Sequence, residues 1–213
     1  MGYYAFAVGL KINDLQEAIG SNDQALLDKV RKTEHFAEVY SDVATEDGHF
    51  TIDDALKELI AGDISRADAG YVYGYALICL SYALGRELPL QGEIKLYVET
   101  EFIDQLLQKS YDLQGFELIE EIFPDKGDWH QYVPLLPEIE DWPSGSYIPL
   151  ARLKKLQLQL IGVQISEEQI SEWEESDDDE DEERASAAEQ ILALQANLAF
   201  CIEHGLDMGW FAH

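Results

Sequence analysis

The spacing of apolar residues along the chain predicts a mainly helical fold. Thr51 precedes apolar positions that recur every three or four residues, and Gly62 follows them, which is the pattern of a capped amphipathic helix. The segment 71–84 is apolar on nearly every side and is therefore predicted to be a buried central helix. The same spacing predicts further helices in the ranges 12–20, 21–39, 93–113, 150–160 and 184–204, and a short helical turn at 166–173.

Two short segments near the ends of the chain are predicted to be strands. Residues 3–10 are apolar and aromatic, and residues 208–211 are apolar. We expect the two to pair, because a small sheet is a common way to order chain ends. The predicted fold class is thus mainly α, a single helical domain over residues 1–213 with a bundle-like core and a small two-stranded sheet joining the N- and C-terminal segments.

A proline- and aromatic-rich connection spans about 123–149 and holds five of the six prolines. We predict that it is mostly irregular and that aromatic side chains pack it against the core. Trp129, His130 and Tyr132 form a polar and aromatic cluster within it that would line a cleft, with acidic neighbours at Asp125, Asp128 and Glu138. A structural role for His130 is the favoured interpretation, since no companion nucleophile or orienting acid is identifiable.

Charge is the most unusual property of the sequence. There are 43 acidic residues against 14 basic ones, giving a formal net charge of -29. Such a surface repels nucleic acids and anionic membranes, so neither is an expected partner. No segment reaches the ~20 apolar residues of a membrane-spanning helix. The two cysteines, Cys79 and Cys201, lie in apolar helical patterns typical of buried thiols, which favours a reducing cytoplasm.

The densest acidic run, 172–183, contains ten of these acidic residues and no basic one. It is predicted to be an acidic loop, for which solvation, docking of a basic protein and metal binding are the alternatives. Metal binding is the weakest of them, because the run lacks the glycine and ligand spacing of a calcium loop. The predicted partner-binding residues are Glu172, Glu174, Glu175, Asp177, Asp178 and Asp179, together with Tyr73, which points away from Tyr71 and Tyr75 on a helix.

No motif in the sequence indicates catalysis or cofactor binding. The five histidines show no metal-ligand spacing, and no nucleophile elbow, phosphate-binding loop or dinucleotide-binding turn is present. We therefore expect no metal and no cofactor. The preferred hypothesis is a non-enzymatic acidic interaction module that binds a basic partner, as immunity proteins and inhibitors do. The alternative is a small-molecule-binding protein or hydrolase with a cleft around His130, and general adaptation to high salt is a third, less favoured explanation.

Several segments resemble an uncharacterised family of bacterial proteins that is catalogued as a domain of unknown function. The segments that carry the resemblance are MGYYAFAVGL, LQEAIGSNDQALLDKV, DDALKELIAGD, GYVYGYALICLSYALGRELP and GWFAH. The resemblance spans most of the chain but not the acidic run. It implies a bacterial cytoplasmic protein with both termini inside the domain, and it carries over no catalytic residue.

Overall fold

Four antiparallel strands lie between two layers of helices in the computed structural model, which describes residues 3–90, 93–124, 129–140, 142–176 and 178–213. About 56% of the protein is helical, so the mainly α prediction is confirmed. The strands are β1 (Tyr4–Leu10), β2 (Ile94–Lys95), β3 (Ser144–Ile148) and β4 (Asp207–Ala212), in the spatial order β2-β1-β4-β3.

The predicted pairing of the two terminal segments is confirmed, but the predicted two-stranded sheet is wrong. β1 and β4 pair antiparallel from Ala5 opposite Ala212 to Leu10 opposite Asp207. β2 adds to the outer side of β1, and β3 adds to the outer side of β4. Neither flanking strand is recognisable from a pattern, because β2 has two residues and β3 has five between Pro143 and Pro149.

The alternation of side chains along the strands separates two hydrophobic cores. In β1, Phe6, Val8 and Leu10 face helical layer 1, whereas Ala5 and Ala7 face helical layer 2. Layer 1 contains α1 (Ile12–Ala18), α2 (Gln24–Val30), α3 (Ile52–Ala61) and α4 (Gly70–Leu84). Layer 2 contains α5 (Glu99–Tyr111), α6 (Leu118–Ile122), α7 (Leu150–Gln159), α8 (Glu167–Glu174) and α9 (Asp179–His204).

Helices α3 and α4 follow their sequence patterns closely. Thr51 caps α3 in a reciprocal capping box with Asp54, and Gly62 ends the helix in the left-handed conformation. Most of α4 is buried, as its all-round apolar pattern predicts. That burial includes Tyr73, which is fully inaccessible and so cannot be the exposed contact expected of it. Cys79 and Cys201 are free and buried, as predicted.

Two other predicted helices, those at 21–39 and 93–113, differ from the structure at their boundaries. The segment 21–39 contains α2, capped by Asp23 and not by Ser21, and then a separate π-helical turn, His35–Val39. The segment 93–113 begins with β2, and only its later part is α5. Asn22 and Tyr97 adopt positive φ angles, which interrupt helical geometry at both places.

The predicted acidic loop at 172–183 is mostly helical. Its first residues end α8, and α9 starts at Asp179, five residues before the predicted start at Arg184. Acidic side chains in the first turn of a helix interact favourably with the helix dipole, so a run of acidic residues is compatible with the start of α9. In length and mean hydropathy, α9 also meets the minimum for a membrane-crossing helix, a property that core helices of soluble proteins share.

The proline-rich connection is packed against the core as predicted, although β3 and a 3-10 turn, Trp129–Gln131, lie within it. The connection packs closely because two of its contacts are made at glycine residues, where no Cβ is in the way. A Cβ at Gly145 would come within 2.4 Å of the Trp129 ring, and one at Gly70 would come within 2.0 Å of the carbonyl oxygen of Glu138. The single domain predicted over residues 1–213 stays a prediction.

Candidate functional site

The acidic run places its carboxylates on the surface at the junction of α8 and α9. Most of its described acidic side chains are exposed. Arg184 donates to Asp181 at 2.5 Å and to Glu180 at 3.3 Å. Among the described residues, no ion pair engages the remaining carboxylates of the run, which are Glu172, Glu174, Glu175, Asp178, Asp179, Glu182 and Glu183. Asp177 lies outside the described residues.

A concavity of about 280 Å³, called the acidic groove below, lies where α5, α8 and α9 meet, and of the run's carboxylates Glu180 and Glu183 line it. Its apolar lining comes from Phe102 and Leu106 of α5 and from Trp173 of α8, and its acidic lining comes from Glu180 and Glu183 of α9. Phe102 and Trp173 are half-buried, so part of each ring faces solvent. The groove therefore combines a partly aromatic floor with a carboxylate edge.

Two cations also line the acidic groove, and they differ in how they are held. Arg184 is engaged by Asp181 and Glu180 as described above. Lys109 donates to the amide oxygen of Gln105 at 2.9 Å and, among the described residues, forms no ion pair. Lys109 is thus the side chain in the groove that would oppose a positively charged ligand.

Tyr73 lies apart from the acidic groove, because it belongs to the core of layer 1 whereas the groove belongs to layer 2. Its hydroxyl donates to the carboxylate of Glu58, which also accepts from the backbone and side chain of Ser65. Burial, together with the hydrogen bond to Glu58, raises the pKa of Tyr73 to about 12. This network fixes the segment between α3 and α4, so Tyr73 has a structural role.

The cleft expected around His130 is filled at its centre by Trp129. The indole is buried and stacks on Phe211 with ring centroids 5.6 Å apart, and it meets Tyr147 edge-on at 6.4 Å. His130 is half-buried. Tyr132 lines two shallow concavities, one of about 330 Å³ and one of about 230 Å³. Of the acidic neighbours considered, Glu138 is exposed, whereas Asp125 and Asp128 lie outside the described residues.

A further concavity of about 420 Å³, which we call the histidine–tyrosine pocket, was not expected from the sequence. It lies where the π-helical turn, α4 and the ends of β1 and β4 meet. Its lining residues are Phe6, His35, Val39, Tyr40, Tyr82, Glu93 and His213. They come from separate parts of the chain, and no local motif joins them.

Ring contacts build the walls of the histidine–tyrosine pocket. The imidazole of His35 stacks on Tyr82, with centroids 3.6 Å apart and an interplanar angle of 16°. His213 meets Phe6 edge-on at 5.3 Å and Tyr40 at 5.7 Å. The hydroxyl of Tyr40 also lies 3.5 Å from Nε2 of His213. Aromatic faces and edges in such arrangements present both negative and positive parts of the ring quadrupole.

Burial sets the protonation states in this pocket. It lowers the pKa of both His35 and His213, although nearby carboxylates oppose the change, so both imidazoles are neutral at pH 7. Burial also raises the pKa of Tyr40 and of Tyr82, with Glu93 acting in the same direction. The pocket therefore contains neutral rings and, at its edge, the carboxylate of Glu93.

The described residues offer no ready metal or thiol chemistry. Among them, no group of three or more histidine, cysteine, aspartate or glutamate side chains is arranged to hold a metal ion. Burial raises the pKa of Cys79 and of Cys201 to about 12, which keeps both thiols protonated and unreactive at neutral pH.

Comparison with protein-family models gives one finding. A family described as a domain of unknown function (DUF7691) matches residues 1–213. The expected resemblance to an uncharacterised family is thereby confirmed. No curated protein and no solved structure gave a significant match.

Proposed function

This chain belongs to the DUF7691 family, and we propose that it is a non-enzymatic interaction protein that binds a basic partner protein through the acidic groove. The observation that supports this proposal is that the exposed Glu180 and Glu183 lie beside two half-buried aromatic rings, and that Glu183 forms no ion pair among the described residues. Consistent with the sequence-based expectations, we further propose a cytoplasmic bacterial protein without nucleic-acid or membrane partners.

The chemistry of the acidic groove matches the side chains of lysine and arginine. The apolar stem of such a side chain would pack on Leu106 and on the ring of Phe102. Its charged group would then lie close to the Trp173 ring and to the carboxylates of α9, where cation–π and charge–charge attraction act together. A groove of this kind takes one basic anchor from a partner, and the surrounding carboxylates contact its neighbours.

The charge of the whole protein would speed the encounter. A formal net charge of -29 attracts cationic proteins over a Debye length of ~8 Å at physiological salt. Attraction of this kind raises the association rate more than it slows dissociation, and added salt weakens it. The affinity is therefore expected to fall steeply as the salt concentration rises.

The helical order of the run supports docking over simple solvation. Buried Ile170 anchors α8, and buried Ala185 anchors the start of α9, so backbone positions on both sides of the junction are fixed by core packing. Carboxylates held in place lose less conformational freedom on binding than carboxylates on a loop. This arrangement favours a recognition surface.

The test uses a short lysine- and arginine-rich peptide as the probe and a glutamate-rich peptide of equal length as its control. Binding is followed by NMR through the Trp173 indole and by stopped-flow fluorescence. We expect the basic peptide to bind at low salt and to perturb Trp173, and Glu180→Gln/Glu183→Gln, which removes the acidic lining of the groove, to reduce the association rate about threefold or more. Lys109→Gln should raise the affinity, because it removes the unpaired cation from the groove.

Glu189→Gln/Glu203→Gln is the matched control, since it removes the same charge from exposed positions farther along α9. It should change the association rate much less than the first double variant. Equal effects of the two double variants would mean that only the overall charge attracts the peptide, which would refute the groove as the binding site. Absence of binding at low salt would refute the proposal itself.

The alternative of a hydrolase or small-molecule-binding cleft around His130 gains no support from the geometry of Trp129, which occupies the centre of the predicted cleft. The part that remains open is the surface beside Tyr132. The alternative stays a prediction for that surface alone.

A further inference from the structure

Five of the seven residues that line the histidine–tyrosine pocket carry aromatic rings, and the other two are Val39 and Glu93. Phe6, Tyr40 and Tyr82 line it together with the two imidazoles of His35 and His213. Tyr75 lies behind this wall, with its ring 5.0 Å from Tyr40. A volume of about 420 Å³ falls within the ~300–1,000 Å³ that is usual for small-molecule sites.

Among the described residues, the charged side chains that act electrostatically on the rings of this pocket are acidic. Glu93 lines it and interacts electrostatically with Tyr40, Tyr82 and His213. Glu34 and Glu87 act on His35 from outside the lining. Among the described residues that line the pocket, there is no lysine or arginine. An anionic ligand would therefore be repelled, and a cationic ligand would be attracted.

Among cations, this environment selects one that does not need hydrogen bonds. A primary ammonium keeps a strongly bound water shell and would lose hydrogen bonds against aromatic walls. A quaternary ammonium has no N–H groups, and its methyl groups pack on rings while its charge is attracted to their faces. We propose that the histidine–tyrosine pocket binds a trimethylammonium group, with Glu93 as the carboxylate that complements its charge.

This site is independent of the acidic groove, because its aromatic side chains belong to the core of layer 1 whereas the groove belongs to layer 2. If the basic peptide fails to bind at the groove, the proposal for the pocket still stands. If the pocket fails to bind a trimethylammonium group, the proposal for the groove still stands. The group itself has two sources, a free small molecule such as choline or a trimethylated lysine on another protein.

The first test compares choline with 3,3-dimethyl-1-butanol, which has the same shape without the positive charge. Binding is measured by NMR from the ring protons of His35 and His213 and from the upfield shift of the ligand methyl signal. Choline should bind at least tenfold more tightly than the uncharged isostere. Equal binding of the two, or no saturable shift up to ~50 mM choline, would overturn the inference.

Variants locate the binding to the pocket. Glu93→Gln should weaken choline binding about three- to tenfold, because it removes the carboxylate at the edge of the pocket. Glu203→Gln removes the same charge from an exposed position on α9 and should leave the affinity within twofold of the unmodified protein. Since Glu93 is exposed, neither substitution disturbs the core. Equal effects of the two variants would overturn the assignment of the site.

A third arm distinguishes the two sources of the ligand. A short peptide with one trimethylated lysine is compared with choline and with the same peptide carrying unmodified lysine. Tighter binding of the trimethylated peptide than of choline would assign the pocket to a modified protein, and the opposite order would assign it to a small molecule. If the peptide binds equally well with and without methylation, the proposed preference for a quaternary cation is wrong.

Discussion

At the scale of single residues, Asp104 is a carboxylate whose charged form is disfavoured by its surroundings. It lies half-buried on α5 and accepts a hydrogen bond from the backbone N–H of Leu118 at 2.8 Å. Burial raises its pKa to about 6 despite that hydrogen bond, with Glu117 and Glu101 acting in the same direction as burial. At neutral pH the folded protein therefore carries a charged group that its surroundings disfavour.

We predict that Asp104→Asn stabilises the protein at pH 7.5 but not at pH 4. The amide oxygen of asparagine can still accept from Leu118, and the disfavoured charge is gone. Because the folded pKa is raised, the stabilising protonation of Asp104 is fully present below the unfolded value of 3.8 and is lost as pH rises through about 6. Urea unfolding at constant ionic strength should show that Asp104→Asn raises the free energy of unfolding by about 1 kcal/mol at pH 7.5. This value is smaller than the pKa change alone would give, because solvent screens a half-buried charge.

The exposed Glu189→Gln serves as the control for this measurement, because it removes one charge without a change in burial. Its effect on the free energy of unfolding should be small and similar at both pH values. A gain for Asp104→Asn that is equal at pH 4 and pH 7.5 would contradict the assigned cause.

At the scale of secondary-structure elements, Asp207 connects the two helical layers. Its Oδ2 accepts from the backbone N–H of Ile12, the first residue of α1, at 3.0 Å. Its Oδ1 accepts from the backbone N–H of Leu150, the first residue of α7, at 2.7 Å. The residues that immediately precede these helices, Lys11 and Pro149, provide no side-chain cap. One carboxylate at the start of β4 thus caps a helix in each layer.

We predict that Asp207→Ala lowers the free energy of unfolding by about 2–3 kcal/mol, because two helices lose their cap at once. Asp207→Asn should cost about half as much, since one oxygen remains to accept one N–H. Asp23→Ala is the comparison, because Asp23 caps α2 alone, and it should cost about 1 kcal/mol. Equal losses for Asp207→Ala and Asp23→Ala in urea unfolding would contradict the double capping role.

The elements that the sequence predicts well are those with local signals. Thr51 and Gly62 delimit α3 through capping chemistry that operates within a few residues. The capping by Asp207 has no such signal, because the helices it caps lie 195 and 57 residues away. The charge pattern of the acidic run lacks apolar periodicity and therefore predicts a loop, although the first turn of a helix accepts such residues.

The candidate sites are predictable only in part, because tertiary packing brings together residues that are far apart in the sequence. The acidic run is evident in the sequence, but the two carboxylates that line the groove, Glu180 and Glu183, are not among the predicted partner-binding residues. The floor of the groove is formed by Phe102 and Leu106 from a distant helix. The histidine–tyrosine pocket brings together His35, Tyr82 and His213 through tertiary packing, so no spacing rule identifies it. The prediction that Tyr73 contacts a partner is wrong, because helical spacing shows which residues share a face but not which faces are buried.

At the scale of the whole molecule, the excess of acidic over basic residues produces repulsion across the surface. With 14 basic residues against 43 acidic ones, most carboxylates have no cation available for pairing. Pairs such as Arg31 with Asp53 at 2.6 Å and Lys57 with Asp53 at 2.7 Å neutralise only a few of them. Repulsion among the remaining carboxylates disfavours the compact state, and dissolved salt screens it.

We predict that raising sodium chloride from ~10 mM to ~500 mM increases the free energy of unfolding by about 1 kcal/mol or more. Urea unfolding measures this, because urea is uncharged and leaves the ionic strength unchanged. A Glu174→Gln/Glu175→Gln variant should show a smaller increase, since it lacks two exposed carboxylates that form no ion pair among the described residues. A decrease in stability with added salt would mean that ion pairs such as Arg31 with Asp53 outweigh the repulsion.

The pairing of β1 with β4 has a consequence for synthesis on the ribosome. β1 precedes every other element, and β4 follows every other element, yet the two are hydrogen-bonded neighbours at the centre of the sheet. While the chain is being translated, the apolar side chains of β1 have no β4 to pair with until nearly all of residues 1–213 have emerged. The nascent chain should therefore depend on chaperones that shield exposed strands, and release of β4 from the exit tunnel should be the step that commits it to the native state.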